Sequence, residues 1–240
     1  MGVLSSIATV YGELGDYRNE EITMLEYLGS MEQIFGKDSY PYAIALNQYA
    51  YFLMRMGRYA ESRNILNEAQ SIMESAGYTE IDIYAEILLT TNEVLANINP
   101  ELEKPEDYYR ARDILLKRLG PQSQQYANSL LYIMNYLLRT ENFKEAEALI
   151  EEVKQVLTAI EGQKGRGLAK VAQNSAWCNL GMSHYEQALA DVINAKSIVY
   201  QILSDKHTWY IDLLALEAEI RRYTGDRDLQ YAIIKQYTEE

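Results

Sequence analysis

The sequence contains few of the residues that cross-link small domains or bind transition metals. Its 240 residues include one cysteine, Cys178, and two histidines, His184 and His207. A single cysteine excludes an internal disulfide framework. Zinc sites need clustered His and Cys ligands at short spacings, and the sequence has neither an H-E-x-x-H nor a C-x-x-C pattern. We therefore expect neither a metal site nor a cofactor.

Positive charge and long apolar runs are also scarce. The chain has 22 Lys and Arg against 35 Asp and Glu, a formal net charge of −13 and a pI of about 4.7. Nucleic-acid phosphates require a clustered basic surface, so we expect no nucleic-acid partner. No apolar run approaches the roughly 20 residues that span a bilayer, and no signal peptide is recognisable. We expect no membrane insertion and a cytoplasmic location, with a processed periplasmic protein or an excised domain as alternatives.

The sequence does contain a unit that recurs every 42 residues. One ladder of equivalent positions consists of Ala8, Ala50, Asn92, Met134, Ala176 and Ala218. A second consists of Tyr42, Tyr84, Tyr126, Leu168 and Tyr210. A third consists of Tyr17, Tyr59, Phe143, Tyr185 and Arg227. Three ladders with one period identify a repeat architecture.

Within each unit the apolar spacing is helical. After Phe143, apolar residues occur at 146, 149, 150, 153 and 157, which places them on one helical face. Gly15, Gly57 and Gly225 stand where two helices need a tight turn. A single helix pair cannot bury its own apolar stripe, whereas stacked pairs can. The pattern predicts a solenoid of helix pairs.

The unit resembles a tetratricopeptide repeat, with a small residue in the middle of the first helix and Gly-x-Tyr at the turn. The segment FGKDSYPYAIALNQYA (35–50) resembles the 42-residue variety found in kinesin light chains and in bacterial proteins that carry a CHAT protease-like domain. That variety reads G-x-x-H-P-x-x-A-x-x-L-N-N-L-A. A looser version is kept here by Gly36, Pro41, Ala43, Leu46, Asn47 and Ala50.

The resemblance implies an all-α fold, a right-handed α-α superhelix of about six helix-turn-helix repeats. We expect a single solenoid domain over residues 1–240, with repeats at about 1–42, 43–84, 85–126, 127–168, 169–210 and 211–240. Neither end shows the polar features of a capping repeat, which is compatible with a piece of a longer protein.

Two segments depart from the repeat. Residues 99–107 contain two prolines and lengthen the third inter-helix turn, and the second helix resumes near Pro105. We favour a tolerated surface loop, with a partner-contacting loop as the alternative. Gly162 and Gly167 have phosphate-loop spacing, but Leu168 and Ala169 replace the required Lys and Ser or Thr. We interpret 161–168 as a flexible basic linker.

No catalytic constellation emerges from the sequence. Cys178 and His184 are six residues apart, but a nucleophile needs a base within hydrogen-bond reach and an orienting third group. We expect Cys178 to be a small buried residue and His184 a turn residue. The sequence therefore favours a protein that is not an enzyme.

The resemblance also implies that the first helix of each pair lines a concave face. Residues one step away from the packing positions are the candidates for partner binding there: Asn47, Tyr51, Arg55, Glu86, Glu93, Asn128, Asn135, Arg139, Lys170, Gln173 and Trp177. Asn and Gln side chains pair with peptide donors and acceptors, and aromatic side chains serve as anchors. Trp177 fits a groove or a core equally well.

We expect a non-catalytic scaffold that binds a peptide or a partner domain, and the acidic charge adds a basic segment as one candidate partner. Two alternatives stay open. One is the regulatory repeat region of a larger enzyme such as a CHAT-type protease, and the other is a structural spacer that self-associates. The sequence predicts neither the partner nor the oligomeric state.

Overall fold

The structure, a computed structural model, describes residues 2–162, 165–205 and 207–239. Over these residues it is all-α, with twelve α-helices and one short 3-10 turn at Pro100–Leu102. The chain forms two compact units that divide between Arg118 and Leu119. The first unit contains α1 (Gly2–Glu13), α2 (Tyr17–Phe35), α3 (Tyr40–Arg55), α4 (Tyr59–Ser75), α5 (Asp82–Ile98) and α6 (Pro105–Leu119). The second contains α7 (Gln124–Arg139), α8 (Phe143–Glu161), α9 (Arg166–Gly181), α10 (Tyr185–Ile202), α11 (Thr208–Thr224) and α12 (Arg227–Glu239).

The helices follow one another as six pairs, which confirms the predicted helix-turn-helix repeat. Within the first unit α1 packs on α2 and α3 on α4, and α2 and α4 also pack on α3 and α5. The second unit repeats this arrangement, with α8 against α9 and α10 against α11. The prediction of one continuous solenoid domain stays a prediction.

The ladder of small residues lies at the centre of these pairs. Ala8, Ala50, Met134 and Ala176 are fully buried, and Ala218 is nearly so. The tyrosine ladder is buried as well at Tyr42, Tyr84 and Tyr126, and Leu168 takes the same place in the fifth pair. The 42-residue period is therefore a packing period.

Three first helices begin earlier than the apolar pattern suggested. We expected helices from about Ala43 and Ala127, but α3 and α7 start three residues earlier. The hydroxyl groups of Ser39 and Ser123 accept hydrogen bonds from backbone N–H groups three residues later, at 3.3 and 3.2 Å. The first N–H groups of a helix have no acceptor within the helix. A serine at this position supplies one, so it sets the start of the helix. Likewise, α9 begins at Arg166 where we expected about 169.

The turns within the first, second, fourth, fifth and sixth helix pairs each contain one left-handed residue. Gly15, Gly57 and Gly225 have φ values of 73°, 72° and 80°. Two residues in the same register are not glycine: Glu141 has φ 59° and Ser183 has φ 63°. A side chain disfavours this conformation by about 1–2 kcal/mol, so the fourth and fifth turns are strained where the others are not.

The inserted segment 99–107 is attached to the core by the one polar residue in the ladder of small residues. Asn92 is fully buried, and its Oδ1 accepts a hydrogen bond from the backbone N–H of Lys104 at 2.7 Å. Its Nδ2 donates to the carbonyl oxygen of Leu88 at 3.2 Å. The asparagine side chain thus supplies the acceptor for a backbone N–H group of the lengthened turn. This contact explains why the ladder is polar in the third repeat.

Replacing Glu141 by glycine should stabilise the protein. Because glycine adopts a positive φ without a steric penalty, we expect Glu141→Gly to raise the free energy of unfolding by about 1 kcal/mol. The matched control is Lys154→Gly, in the exposed middle of α8, which should lower it by about 1 kcal/mol. Urea titration followed by circular dichroism measures both. Equal destabilisation by the two glycines would contradict a strained turn.

Removing the amide of Asn92 should loosen the inserted turn. Asn92→Ala leaves the Lys104 N–H without its acceptor, and we expect the free energy of unfolding to fall by about 1–3 kcal/mol. Asn97→Ala, on the same helix, removes an exposed amide that bonds only to the Glu93 carbonyl, so it should have little effect. Limited proteolysis should cut the 99–107 segment faster in the first variant only. Similar effects of both substitutions would show that Asn92 does not anchor the turn.

Candidate functional site

Within each unit the first helices of neighbouring pairs lie side by side. In the first unit α3 approaches α5, and in the second α7 approaches α9. The second helices of the same pairs do not approach each other as closely. We call the surface formed by α3 and α5, or by α7, α9 and α11, the first-helix face of its unit. This is the face on which the sequence places the candidate binding residues.

In the first unit three candidates follow one another at four-residue intervals along α3. Asn47, Tyr51 and Arg55 therefore lie on one side of the helix. Tyr51 is 45% exposed, whereas Asn47 is buried at 8%. The guanidinium group of Arg55 bonds to the carboxylate of Glu20 at 2.8 Å and lies over the ring of Tyr17. Arg55 is thus tied to α2, and Tyr51 remains the accessible aromatic residue.

Asn47 carries an unsatisfied polar atom. No described residue donates a hydrogen bond to its Oδ1, although the atom is out of contact with solvent. Leaving such a group unpaired costs about 1–3 kcal/mol, so most buried polar atoms in folded proteins have a partner. Tyr51, one turn away, is open to solvent.

The neighbouring helix α5 makes this face acidic. Glu86 and Glu93 are both partly buried there. Burial raises the pKa of the Glu86 carboxyl group, and the negative charge of Asp82 raises that pKa further. A cation beside Glu86 would reverse both effects, because it stabilises the ionised form. The first-helix face of the first unit is therefore acidic along α5.

In the second unit the candidates form hydrogen bonds across the first helices. Asn135 on α7 accepts a hydrogen bond from the amide of Asn174 on α9 at 2.9 Å. Gln173 Oε1 accepts from the indole N–H of Trp209 on α11 at 3.0 Å and from Lys170 Nζ at 3.3 Å. Asn135 and Gln173 therefore belong to polar contacts that link adjacent helices, and Lys170 bonds to Gln173 within α9.

The remaining candidates lie at the borders of this network. Trp177, one turn beyond Gln173, is 44% exposed, so it is not a core residue. Asn128 is exposed and accepts a hydrogen bond from Gln124 at 3.1 Å. Arg139 is exposed in the last turn of α7. Sequence reasoning missed Asn174 and Trp209, which are as much a part of the network as the residues it named.

Cys178 is placed for packing. It is fully buried on α9, and its Sγ lies 3.0 Å from the backbone carbonyl oxygen of Phe143, to which the thiol donates. Burial and the negative charge of Glu147 raise the pKa of the thiol to about 11. His184 is exposed at the start of α10. The contact with Phe143 occupies the thiol and confirms the prediction of a buried structural cysteine.

No group of three or more His, Cys, Asp or Glu side chains is arranged to hold a metal ion among the residues that the structure describes. None of the helices, as far as the structure describes them, is long and apolar enough to cross a membrane.

Comparison with known proteins identifies the fold. No family model matches the sequence, and no curated protein matches it. BtubC (BKLC) from P. vanneervenii has a similar crystal structure, with a TM-score of 0.71 and 12% identity over 93% of this chain and 90% of that chain. A kinesin light chain from P. anserina, described as having nearly identical TPR-like repeats, has a TM-score of 0.63 and 13% identity over 81% of this chain and 92% of that chain. A tetratricopeptide repeat protein from Parabacteroides merdae has a TM-score of 0.58 and 14% identity over 99% of this chain and 78% of that chain.

These likenesses confirm that the chain has the fold of tetratricopeptide-type and kinesin-light-chain-like repeat proteins, as the 42-residue pattern predicts. At 12–14% identity they describe the architecture alone.

Cys178 should react very slowly with thiol reagents in the folded protein. Only the thiolate is nucleophilic, and at a pKa of about 11 roughly one thiol in a thousand is ionised at pH 8, against about a quarter at an ordinary pKa near 8.5. We expect labelling at pH 8 to be at least about 100-fold slower in the native chain than in denaturant, and to accelerate as the pH rises towards 11. Labelling of the native chain at the rate of a free cysteine would contradict this assignment.

Proposed function

We propose that this protein is a non-catalytic interaction scaffold that binds an extended segment of a protein partner on its first-helix faces. The observation that carries the proposal is the buried, unsatisfied amide oxygen of Asn47 beside the exposed ring of Tyr51. An extended peptide offers backbone N–H groups and side chains at regular spacing, which would supply a donor to the amide and an apolar group to the ring.

The second unit supports the same proposal with different chemistry. Its polar contacts fix Gln173 between Lys170 and Trp209, which holds that part of the face in one conformation before a partner arrives. Trp177 stands exposed next to this fixed group. A rigid aromatic anchor beside ordered polar groups is an arrangement that loses little conformational entropy on binding.

Charge favours a basic partner segment. The chain carries a net charge of −13, and Glu86 lies partly buried on the first-helix face with its pKa raised. Lys or Arg side chains in the partner would relieve the unfavourable burial of that carboxyl group. Electrostatic attraction would also speed the encounter, and this contribution falls as salt screens the charges.

The experiment uses a displayed library of disordered peptides, selected on the purified chain at low salt. We expect the enriched peptides to be basic and extended, and to bind less tightly as salt is raised. Tyr51→Ala should weaken peptides bound on the first unit, and Trp177→Ala should weaken peptides bound on the second unit, each roughly tenfold or more, as hot-spot aromatic residues do. Ile193→Ala, on the exposed surface of α10, is the matched control and should leave affinity unchanged.

Asn47 provides a separate test of the binding role. Asn47→Leu replaces the unsatisfied amide by an apolar group of similar size, so we expect the free energy of unfolding to rise by about 1 kcal/mol while peptide affinity falls. A residue with a purely structural role would show the opposite change in stability. Peptides that lose affinity with Ile193→Ala and keep it with the Tyr51, Trp177 and Asn47 variants would refute binding on the first-helix faces.

A further inference from the structure

A buried carboxylate of the second unit shows how this chain holds a cation beside aromatic rings. Glu217 is 3% exposed and forms ion pairs with Lys196 and Arg221. The Nζ atom of Lys196 also lies 5.6 Å from the centre of the Tyr210 ring. Tyr200 packs against that ring in a tilted pair, with ring centres 6.2 Å apart and an interplanar angle of 53°. The ammonium group is thus held by a carboxylate and by one ring of an aromatic pair, and both stabilise a positive charge.

The first unit uses the same chemistry at Glu20. The Glu20 side chain is buried, and the guanidinium group of Arg55 bonds to its carboxylate at 2.8 Å. The same guanidinium group lies 5.9 Å from the centre of the Tyr17 ring. Buried carboxylates seldom lack a cation, because removal from water destabilises the charged form. At Glu20 and at Glu217, the chain supplies that cation itself.

A third arrangement of carboxylate and tyrosine pair lies where α3 and α5 begin. Tyr40 and Tyr78 form a tilted pair with ring centres 5.7 Å apart and an interplanar angle of 60°, close to the geometry of Tyr200 and Tyr210. Tyr78 is 45% exposed, so one ring of the pair is open to solvent. Glu86 lies partly buried nearby. Within the described residues, no donor or cation is paired with the Glu86 carboxylate.

The cation that this region does contain is paired with a different carboxylate. The Nε atom of Arg118 lies 3.6 Å from Oδ1 of Asp82. Burial raises the pKa of the Tyr40 hydroxyl group, the negative charges of Asp82 and Glu86 raise that pKa further, and the positive charge of Arg118 opposes them. When Glu86 is ionised, two carboxylates therefore face one guanidinium group. A second cation would balance the charge.

We propose that Glu86, Tyr40 and Tyr78 form a subsite for one cationic side chain of the partner, the ammonium group of a lysine or the guanidinium group of an arginine. The charged group would meet Glu86 as Lys196 meets Glu217, and its apolar stem would lie against the exposed ring of Tyr78. This inference rests on the proposed function and deepens it, because it names the residues that recognise a basic side chain.

The first experiment uses single amino-acid probes, so that it does not depend on a selected peptide. The probes are the N-acetyl amides of lysine, arginine and citrulline, and citrulline has nearly the shape of arginine without its charge. We expect the lysine and arginine probes to shift the NMR signals of the Tyr40 and Tyr78 rings in the ¹³C-tyrosine-labelled chain, with half-saturation at roughly millimolar concentration. The citrulline probe should shift neither signal.

Matched variants show whether the Glu86 charge is responsible. Glu86→Gln keeps the shape of the side chain and removes its charge, so it should weaken binding of both cationic probes roughly tenfold or more. Glu26→Gln removes the same charge at an exposed position on α2 and should leave binding unchanged. Tyr78→Leu, at an exposed position, is a second variant of the subsite and should also weaken binding. Circular dichroism confirms that each variant is folded.

The second experiment separates failure of the subsite from failure of the proposed function. In a peptide selected on the chain, replacing each basic residue in turn by citrulline should reveal one position that Glu86→Gln makes indifferent to its charge. Peptides that depend on Tyr51 and not on Glu86, or cationic probes that bind Glu86→Gln as well as the wild type, would overturn the subsite and leave the proposed function standing. Probes that bind through Glu86 in a chain that selects no peptide would support the cation site and contradict the proposed function.

Discussion

Within each unit, the rest of the structure depends on the stacking of a second helix on the first helix that follows it in that unit. A helix pair has more apolar surface than it can bury by itself, and the following pair covers the remainder. Met24 of α2 meets Phe52 of α3 in one apolar cluster, and Val192 of α10 meets Ile220 of α11 in another. The 42-residue ladders exist because every pair must present the same surface to its neighbour.

This constraint also determines where the chain is free to vary. Stacking occupies one side of each first helix. The side one step away is not used for stacking. Asn47 and Tyr51 on α3, like Gln173 and Trp177 on α9, lie on that second side. Their identities differ from repeat to repeat although their positions are fixed by the register. A repeat scaffold can therefore change its binding residues without changing its fold, which is why we place the proposed function on these positions.

Sequence periodicity predicted most of the fold and only part of the candidate site. It predicted the helix pairs, the buried ladders and the turn before Tyr59, because these depend on local spacing. It missed the earlier start of α3, which the side chain of Ser39 sets and apolar spacing does not reveal. It also missed the contacts of Asn135 with Asn174 and of Gln173 with Trp209, which join residues 39 and 36 positions apart. Those contacts depend on side-chain orientations between neighbouring helices, and a repeat period carries no information about them.

Native-state hydrogen exchange of the free chain in dilute solution tests most directly whether stacking stabilises the helices. Ala8 on α1 and Ala50 on α3 occupy the same register position, and both are fully buried. They differ in the burial of the outer side of their helix: Val3, Ile7 and Val10 on α1 are exposed, whereas Ala45, Tyr49 and Phe52 on α3 are buried. If stacking provides most of the stability, amides around Ala8 should exchange roughly tenfold faster or more than those around Ala50. Equal protection of the two helices would contradict the account, because it would show that each pair is stable without its neighbour.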